Sequence, residues 1–198
     1  MTKAEETRLR ILNVAFEHAS EYGLESLTIG GLANLVGMSK SGLFSHFKSK
    51  DNLQISVLEY AGQIFSQRVV QPARCQTHNS VEEKLRVLLQ HWLEWNQSLQ
   101  GSCMFLNCWR ELHPHTDDVQ VALEGLTRHW LEYLYRQFKR GVEQGEFSSD
   151  LDCWQAVYRI YGIYLSSQFF ASMAMEGGNR ERFWAEVDVA FSSWLKSK

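Results

Sequence analysis

The stretch Thr28–Lys50, TIGGLANLVGMSKSGLFSHFKSK, predicts two short helices joined by a tight turn. Apolar residues of the first helix recur at i, i+3, i+4 and i+7, namely Ile29, Leu32, Ala33 and Val36. Thr28 and Ser39 are residue types that cap helix starts, and Gly37 accepts the positive φ that a chain reversal requires. The pattern predicts a helix-turn-helix, a motif that places its second helix in the DNA major groove.

The second predicted helix buries Leu43, Phe44 and Phe47 and exposes its first turn. That turn offers backbone N–H groups, two hydroxyls and a cation, which suit phosphates and base edges: Ser39, Lys40, Ser41 and Gly42. The stretch contains no Asp or Glu, and its cations are expected to contact mainly phosphate: Lys40, Lys48 and Lys50. The alternative is a plain helical hairpin whose lysines are only solvated.

These residues resemble the DNA-binding domain of the TetR/AcrR family of bacterial transcriptional regulators. The resemblance covers about the first third of the chain and lies in Thr28-Ile29, Leu32-Ala33, Val36-Gly37-Met38-Ser39-Lys40, Leu43-Phe44, His46-Phe47 and Ser49-Lys50-Asp51-Asn52-Leu53. It implies DNA contacts at Thr28, Lys40, Ser41, Gly42, Phe44, His46 and Lys50. The family commonly has Tyr where Phe44 stands, and Phe cannot bond a phosphate. Gly30 and Gly31 replace better helix formers, at up to about 1 kcal/mol each.

Charge is distributed unevenly along the 198 residues, whose net charge is -3. Residues 1–50 carry six Lys or Arg and five Asp or Glu, whereas the remainder carries fourteen and eighteen. DNA affinity therefore has to come from a local patch. We predict an all-α protein of about nine helices. Residues 1–50 would form the three-helix DNA-binding domain and residues 51–198 a larger helical ligand-binding and dimerisation domain.

Outside the helix-turn-helix, helices are predicted at about 4–22, 51–69, 80–101, 102–112, 116–144, 150–173 and 180–195, with a loop at 72–79. Ser80-x-x-Glu83 is a capping-box pattern, and Thr116 is a candidate cap. Arg8 is expected to pair with nearby acids rather than with phosphate. The helix that starts at Asp51 begins beside the DNA reader and ends in the second part of the chain, so it is the expected mechanical link.

Targeting and catalytic signals are not found in the sequence. The start, MTKAEETRLR, lacks an apolar signal segment, and no apolar run is long enough for a membrane helix, so a cytoplasmic location is predicted. No cysteine pair has C-x-x-C spacing, and Cys103, Cys108, His113 and His115 do not form a recognised metal motif. No hydrolase, P-loop or zinc-protease motif occurs, so neither an enzyme nor a cofactor is predicted.

All seven tryptophans lie beyond residue 90. The family resemblance implies a ligand cavity between helices of this region, and an aromatic lining would suit a largely apolar or aromatic small molecule. The candidate pocket residues are Ile64, Phe65, His91, Trp92, Trp95, Phe105, Trp109, Trp130 and Gln168. Tryptophan at helical spacing is, alternatively, ordinary core packing.

The last two predicted helices carry apolar residues on more than one face, so each needs two neighbours. We predict a homodimer through residues 151–175 and 180–195, packed as a four-helix bundle. The alternative is burial within one monomeric core.

The working hypothesis is a homodimeric, ligand-responsive repressor released from a palindromic DNA operator by a small molecule. One alternative is a regulator of the same fold that senses oxidants or electrophiles through Cys103, near a helix N-terminus. Another is a helical dimer that serves a protein partner and has no small-molecule pocket.

Overall fold

The computed structural model describes residues 2–97, 104–111, 118–173, 175 and 177–196. Its elements are α1 (Lys3–Tyr22), a 3₁₀ turn (Leu24–Ser26), α2 (Ile29–Val36), α3 (Lys40–Phe47), α4 (Lys50–Phe65), a π-helical turn (Ser66–Val70), α5 (Gln71–Cys75), α6 (Val81–Gln97), α7 (Met104–Glu111), α8 (Asp118–Glu143), α9 (Cys153–Ser172) and α10 (Asn179–Trp194). The run from α4 to α5 is unbroken, so the described residues form nine helical rods. The predicted all-α class is confirmed.

Short polar side chains begin the N-terminal helices. Thr2 forms a capping box with Glu5 at the start of α1. Thr28, Ser39 and Ser49 each accept the backbone N–H three residues ahead, at 3.0, 3.1 and 3.0 Å, and so start α2, α3 and α4. Gly37 ends α2 with a φ of 68°, as the sequence predicts.

The helix that follows α4 extends further than the sequence predicts. A loop is expected from residue 72, but Gln71–Cys75 is helical, so the prediction is wrong for residues 72–75. Pro72 lies in the first turn of α5, directly after the π-helical turn. The π-helical turn Ser66–Val70 joins this short helix to α4.

The start of α9 lies slightly later than predicted. Asp150 is the expected opening residue, whereas Asp152 is the cap that the structure uses. One Asp152 carboxylate oxygen accepts the N–H groups of Trp154 and Gln155, at 2.9 and 3.0 Å. The chain therefore begins α9 at Cys153, because the carboxylate satisfies two otherwise unpaired donors.

Side chains from two distant parts of the sequence cap the start of α6. Ser80 Oγ accepts the N–H of Glu83 at 2.9 Å, which is the first half of the predicted capping box. The Glu146 carboxylate, more than sixty residues later, accepts the N–H groups of Val81 and Glu82 at 2.7 and 2.9 Å. The predicted cap Thr116 lies outside the described residues.

The chain divides into two compact units, Met1–Val69 with Glu94–Arg128, and Val70–Leu93 with His129–Lys198. The core of the first is built on fully buried side chains from α1 to α4, among them Ile11, Ala15, Leu24, Leu43, Leu53, Val57 and Leu58. The predicted boundary at residues 50 and 51 falls inside this unit, at the start of α4, and stays a prediction.

In the second unit α9 packs against α10. A cluster of aromatic rings joins α8 and the turn after it to α10: Phe138, Phe147, Phe191 and Trp194. Backbone hydrogen bonds close this unit at its C-terminal end. Ser148 N–H donates to Trp194 O at 2.8 Å, and Lys196 N–H donates to Glu146 O at 3.1 Å. In the described part of the chain, no helix is both long and apolar enough to cross a bilayer.

Candidate DNA-binding face, aromatic clusters and helical seam

Helix α3 shows two different faces. Leu43 and Phe47 are buried in the core of the first unit, as predicted. Phe44 is 51% exposed, so its predicted place on the buried side is wrong. The physical reason is the helical period, because the residue after Leu43 points about 100° away from it. The Phe44 ring is thus presented to solvent next to the exposed first turn of α3.

The first turn of α3 combines exposed hydroxyls with one cation. Ser39, Lys40 and Ser41 are exposed, and the Oγ atoms of Ser39 and Ser41 lie 3.2 Å apart. Ser39 Oγ also accepts the Gly42 N–H, and a Cβ at Gly42 would lie 3.1 Å from it. Thr28 is likewise exposed and caps α2. The predicted contact residues of this region are therefore held in place by the caps that begin the helices.

The four basic side chains of this region have different environments. Lys40 and Lys48 are exposed, and Lys48 adopts a positive φ of 67° directly after α3. His46 is half-buried near the end of α3. Lys50, in the first turn of α4, is partly exposed and forms an ion pair. We define the DNA-binding face by the sequence-predicted contact residues: Thr28, Ser39, Lys40, Ser41, Gly42, Phe44, His46, Lys48 and Lys50.

The partner of Lys50 is an acidic residue that the sequence analysis missed. Lys50 Nζ lies 2.7 Å from Glu25 Oε2, in an ion pair that joins the 3₁₀ turn to α4. Gln54, which is almost fully buried, donates from Nε2 to Glu25 Oε1 at 3.3 Å and to Leu24 O at 3.0 Å. Gln54 lies one helical turn before the buried residues Val57 and Leu58 on α4. A polar residue at this spacing is the sequence signal that could have indicated a buried amide in need of hydrogen-bond partners.

Arg8 also differs from the prediction. Its guanidinium donates to the carbonyl oxygen of His46 at 3.1 Å and to Ser56 Oγ at 2.9 Å, and it lies 4.6 Å from the centre of the Phe47 ring. The expected pairing with acids is wrong, because the fold brings a helix-terminal carbonyl within reach of this side chain. Arg8 therefore joins α1 to the end of α3 and to α4.

Five of the candidate pocket residues lie in the first unit: Ile64, Phe65, Trp95, Phe105 and Trp109. The Phe65 ring packs edge-on against Trp95 and Phe105, with centroid distances of 5.5 and 6.1 Å. The indole N–H of Trp109 donates to Thr127 Oγ1 at 3.3 Å, and this ring is partly exposed. Ile64 is half-buried on α4. We call Phe65, Trp95 and Phe105 the first-unit cluster.

The other candidates lie in the second unit, where His91 and Gln168 are half-buried and Trp92 and Trp130 are in contact. The Trp92 ring stacks on Tyr164 at 3.7 Å and meets Trp130 edge-on at 5.1 Å. The remaining rings of this second-unit cluster are Tyr133 and Tyr161. The candidate pocket residues therefore divide between the two units, and their membership of one pocket stays a prediction.

Tyr133 is a second residue that the sequence analysis missed. Its ring stacks on Trp130 with a centroid distance of 6.0 Å. Its hydroxyl is buried and has no hydrogen-bond partner among the described residues, and burial raises the pKa of the phenol. A buried polar group of this kind requires an explanation, and a bound molecule is one.

Three cysteines in the described part of the chain are free thiols, and they differ in burial: Cys75 is exposed, Cys108 is buried and Cys153 is half-buried. Cys108 is fully buried, and burial raises the pKa of the Cys153 thiol, which keeps it protonated near neutral pH. No group of three metal-ligating side chains occurs among residues 2–97, 104–111, 118–173, 175 and 177–196. Cys103, His113 and His115 lie outside these residues, so the sensor role of Cys103 stays a prediction.

One face of α9 exposes a row of apolar side chains, Trp154, Tyr158, Leu165 and Phe169, and Met173 is exposed directly after the helix. Gly162 and Ser166 lie on the same face, where small residues permit close approach of another helix. On α10, Val189 is similarly exposed. We call these exposed apolar residues of α9 and α10, with Met173, the α9–α10 seam. Contiguous exposed apolar side chains are a feature of interaction surfaces in folded proteins.

Comparison with known proteins gives the same assignment for both parts of the chain. Residues 11–57 match the model of the bacterial regulatory proteins of the tetR family, and residues 81–187 match that of the tetracyclin repressor-like C-terminal domain. The chain is 22% identical over 185 residues to YezE of Bacillus subtilis (strain 168), an uncharacterised HTH-type transcriptional regulator, and the match covers 92% of this chain and 93% of YezE.

Solved structures share the fold. A TetR transcriptional regulator from Chloroflexus aurantiacus superposes with a TM-score of 0.86 at 19% identity, covering 99% of this chain and 100% of that one. A protein from Saccharomonospora viridis in complex with choline gives 0.74 at 19% identity, covering 98% and 100%. The chain therefore belongs to the TetR family of DNA-binding transcriptional regulators, which are not enzymes.

Proposed function

We propose that the protein is a homodimeric repressor that binds a palindromic operator through α3 and leaves it when a small molecule binds. The observation that carries this proposal is the exposed first turn of α3 beside the exposed Phe44 ring. Two such helices, one from each copy, would enter successive major grooves about 34–36 Å apart. The repressor-like C-terminal family model supports the sign of regulation. A chain that acts on chromosomal DNA works where that DNA is, so we expect a cytoplasmic location.

Within the DNA-binding face, charged and uncharged residues have different proposed roles. Lys40 and Lys48 contact phosphate, because exposed cations at a helix end contribute position and affinity rather than sequence information. Ser39 and Ser41 face the groove, where hydroxyls bond base edges. Phe44 lies beside the phosphate backbone, to which its ring cannot donate a hydrogen bond. The flanking positions Thr28, Gly42, His46 and Lys50 complete the contact surface.

The first experiment measures binding to DNA from upstream of the protein's own coding region over a series of salt concentrations. Saturable binding of two chains to one short palindrome is the expected result. Lys40→Gln should lower the slope of log K against log salt by about 1.8, because each of the two bound chains loses one phosphate contact. Lys139→Gln, an equally drastic charge change at an exposed site on α8, is the matched control and should leave the slope unchanged. Equal slopes for both variants would contradict the assignment of the face.

We propose the second-unit cluster as the effector site. Stacked and edge-on rings around Trp92 and Trp130 suit a flat, largely apolar molecule, and the Tyr133 hydroxyl supplies a polar group that such a molecule can bond. His91 and Gln168 are further polar candidates in this unit. The first-unit residues Ile64, Phe65, Trp95, Phe105 and Trp109 form the competing site.

The two clusters can be distinguished with an apolar dye. Titration with 1-anilinonaphthalene-8-sulfonate should change tryptophan emission if the dye binds among the indoles. Trp130→Phe removes a reporter from the second-unit cluster, and Trp109→Phe removes one from the first unit. The change should diminish in Trp130→Phe and persist in Trp109→Phe. The reverse pattern would place the effector in the first unit, and no saturable change would favour a protein partner instead.

We propose that the α9–α10 seam joins two copies as a four-helix bundle. Residues 151–175 and 180–195, the predicted dimer segments, contain this seam, and its row of exposed apolar side chains supports the assignment. Two-fold symmetry would place the same row on both partners, so the burial of each exposed ring contributes twice per dimer. An effector releases DNA only if it binds the two conformations of such a dimer with unequal affinity.

A further inference from the structure

An acidic side chain lies beside the DNA-binding face. Glu25 belongs to the 3₁₀ turn that precedes α2, three residues before the α2 cap Thr28. Its carboxylate bonds Lys50 Nζ at 2.7 Å, and the side chains of Glu25 and Lys50 are 53% and 40% exposed. The sequence from Thr28 to Lys50 contains no acid, so this negative charge reaches the face only through the tertiary fold.

The buried Gln54 side chain holds the Glu25 carboxylate in position. Gln54 is buried, and its amide N–H group donates both to Glu25 Oε1 and to the carbonyl oxygen of Leu24. The carboxylate therefore has one oxygen bonded from inside the protein and the other bonded to Lys50. It cannot turn away from Lys50 without separating from the buried amide as well.

We infer that Glu25 cancels the charge of Lys50 at the DNA-binding face and so limits how tightly the protein binds any DNA. The inference rests on the proposed DNA-binding function. Binding to phosphates depends on how many of them cations neutralise, through the release of counterions. A lysine paired with a fixed carboxylate brings no net charge to the duplex. An exposed ion pair contributes little to the free energy of folding. The main effect of the Glu25–Lys50 pair is therefore on the binding of a polyanion such as DNA.

A limit on the affinity for phosphates would increase the selectivity of the protein for its operator. Phosphate contacts strengthen binding to every sequence equally, whereas base contacts strengthen binding to the operator alone. Because non-specific sites greatly outnumber the operator, one fewer effective cation frees the regulator from bulk DNA without altering base recognition. Glu25 would therefore set the general affinity of the protein, while α3 sets its choice of sequence.

The test compares Glu25→Gln, Lys50→Gln and the double variant on a duplex of random sequence, over a series of salt concentrations. Glu25→Gln should steepen the salt slope by about 1.8 and tighten binding about thirtyfold at about 0.15 M salt, because Lys50 of each of the two chains then neutralises a phosphate. Lys50→Gln should make the slope shallower, since an unpaired Glu25 faces the duplex. The double variant should return to the wild-type slope, because it removes a pair with no net charge.

Glu17→Gln is the matched control, because it removes one exposed negative charge from α1 in the same unit. It should leave the slope close to that of the wild type, which separates the local pairing from a change in total charge. A wild-type slope in Glu25→Gln, or a double variant that behaves as Lys50→Gln alone, would overturn the inference while the proposed function stands. A wild-type protein that shows no salt-dependent DNA binding would overturn both.

Discussion

We predict that Phe169→Asp weakens a dimer formed through the α9–α10 seam. The exposed area of Phe169 gives the size of the effect. Phe169 is 56% exposed on α9. An aromatic side chain of about 200 Å² then leaves roughly 110 Å² to be covered by a second copy. At about 25 cal/mol per Å² this is nearly 3 kcal/mol, and two-fold symmetry doubles it to between about 5 and 6 kcal/mol per dimer. Since about 1.4 kcal/mol is a tenfold change, the dimer dissociation constant should rise by roughly three orders of magnitude or more.

Sedimentation velocity over a dilution series measures this change, and circular dichroism establishes that the variant remains helical. Val121→Asp is the matched control, because Val121 has the same 56% exposure but lies on α8. It should leave the dimer dissociation constant unchanged. A folded Phe169→Asp protein with the wild-type dissociation constant would refute the reasoning and place the dimer contact elsewhere. Loss of dimerisation in both variants would show that any added surface charge has this effect.

Further predictions concern the reader helix and its support. Phe44→Tyr should tighten DNA binding by about 2 kcal/mol, roughly thirtyfold, through one hydrogen bond to phosphate from each of the two chains, and should leave the salt slope unchanged; unchanged affinity would remove Phe44 from the contact surface. Arg8→Ala should lower the free energy of unfolding in urea by about 2 kcal/mol, because two hydrogen bonds and a ring contact are lost; an effect near zero would mean that solvent replaces them. Gly141→Ala should destabilise by about 1–3 kcal/mol, since the added Cβ overlaps the buried Phe147 ring. Gly125→Ala, on the same helix with open space around it, should instead stabilise by up to about 1 kcal/mol, and equal effects would contradict the packing argument.

Local signals explain why much of the N-terminal fold could be predicted. Thr28, Ser39 and Gly37 act on residues within one turn of themselves, so their types alone place the ends of α2 and the start of α3. The prediction placed Phe44 on the buried side of α3 with Leu43 and Phe47. Those two residues are buried, but the buried stripe that they define is too narrow to include Phe44. The same turn also held its predicted hydroxyls and Lys40 at the exposed surface.

Interactions between distant residues explain what the sequence could not provide. The Glu25 carboxylate reaches Lys50 across 25 positions, and Arg8 reaches the carbonyl of His46 across 38. Nothing in the neighbourhood of either residue indicates its partner. The candidate pocket shows a related problem, because helical spacing identifies Trp92 and Trp95 as apolar but does not reveal that they belong to different compact units.

The Glu146 cap has a consequence for the order in which the chain folds during synthesis. The start of α6 emerges from the ribosome more than sixty residues before the carboxylate that fastens it. At about 5–20 residues per second, the first turn of α6 waits several seconds for this partner. The backbone bonds from Ser148 to Trp194 and from Lys196 to Glu146 require later residues still. Helices α1 to α4 can thus emerge from the ribosome while the second unit, with its seam, is still incomplete. Under the proposed function, a nascent chain would carry one reading helix before it could pair with a second copy.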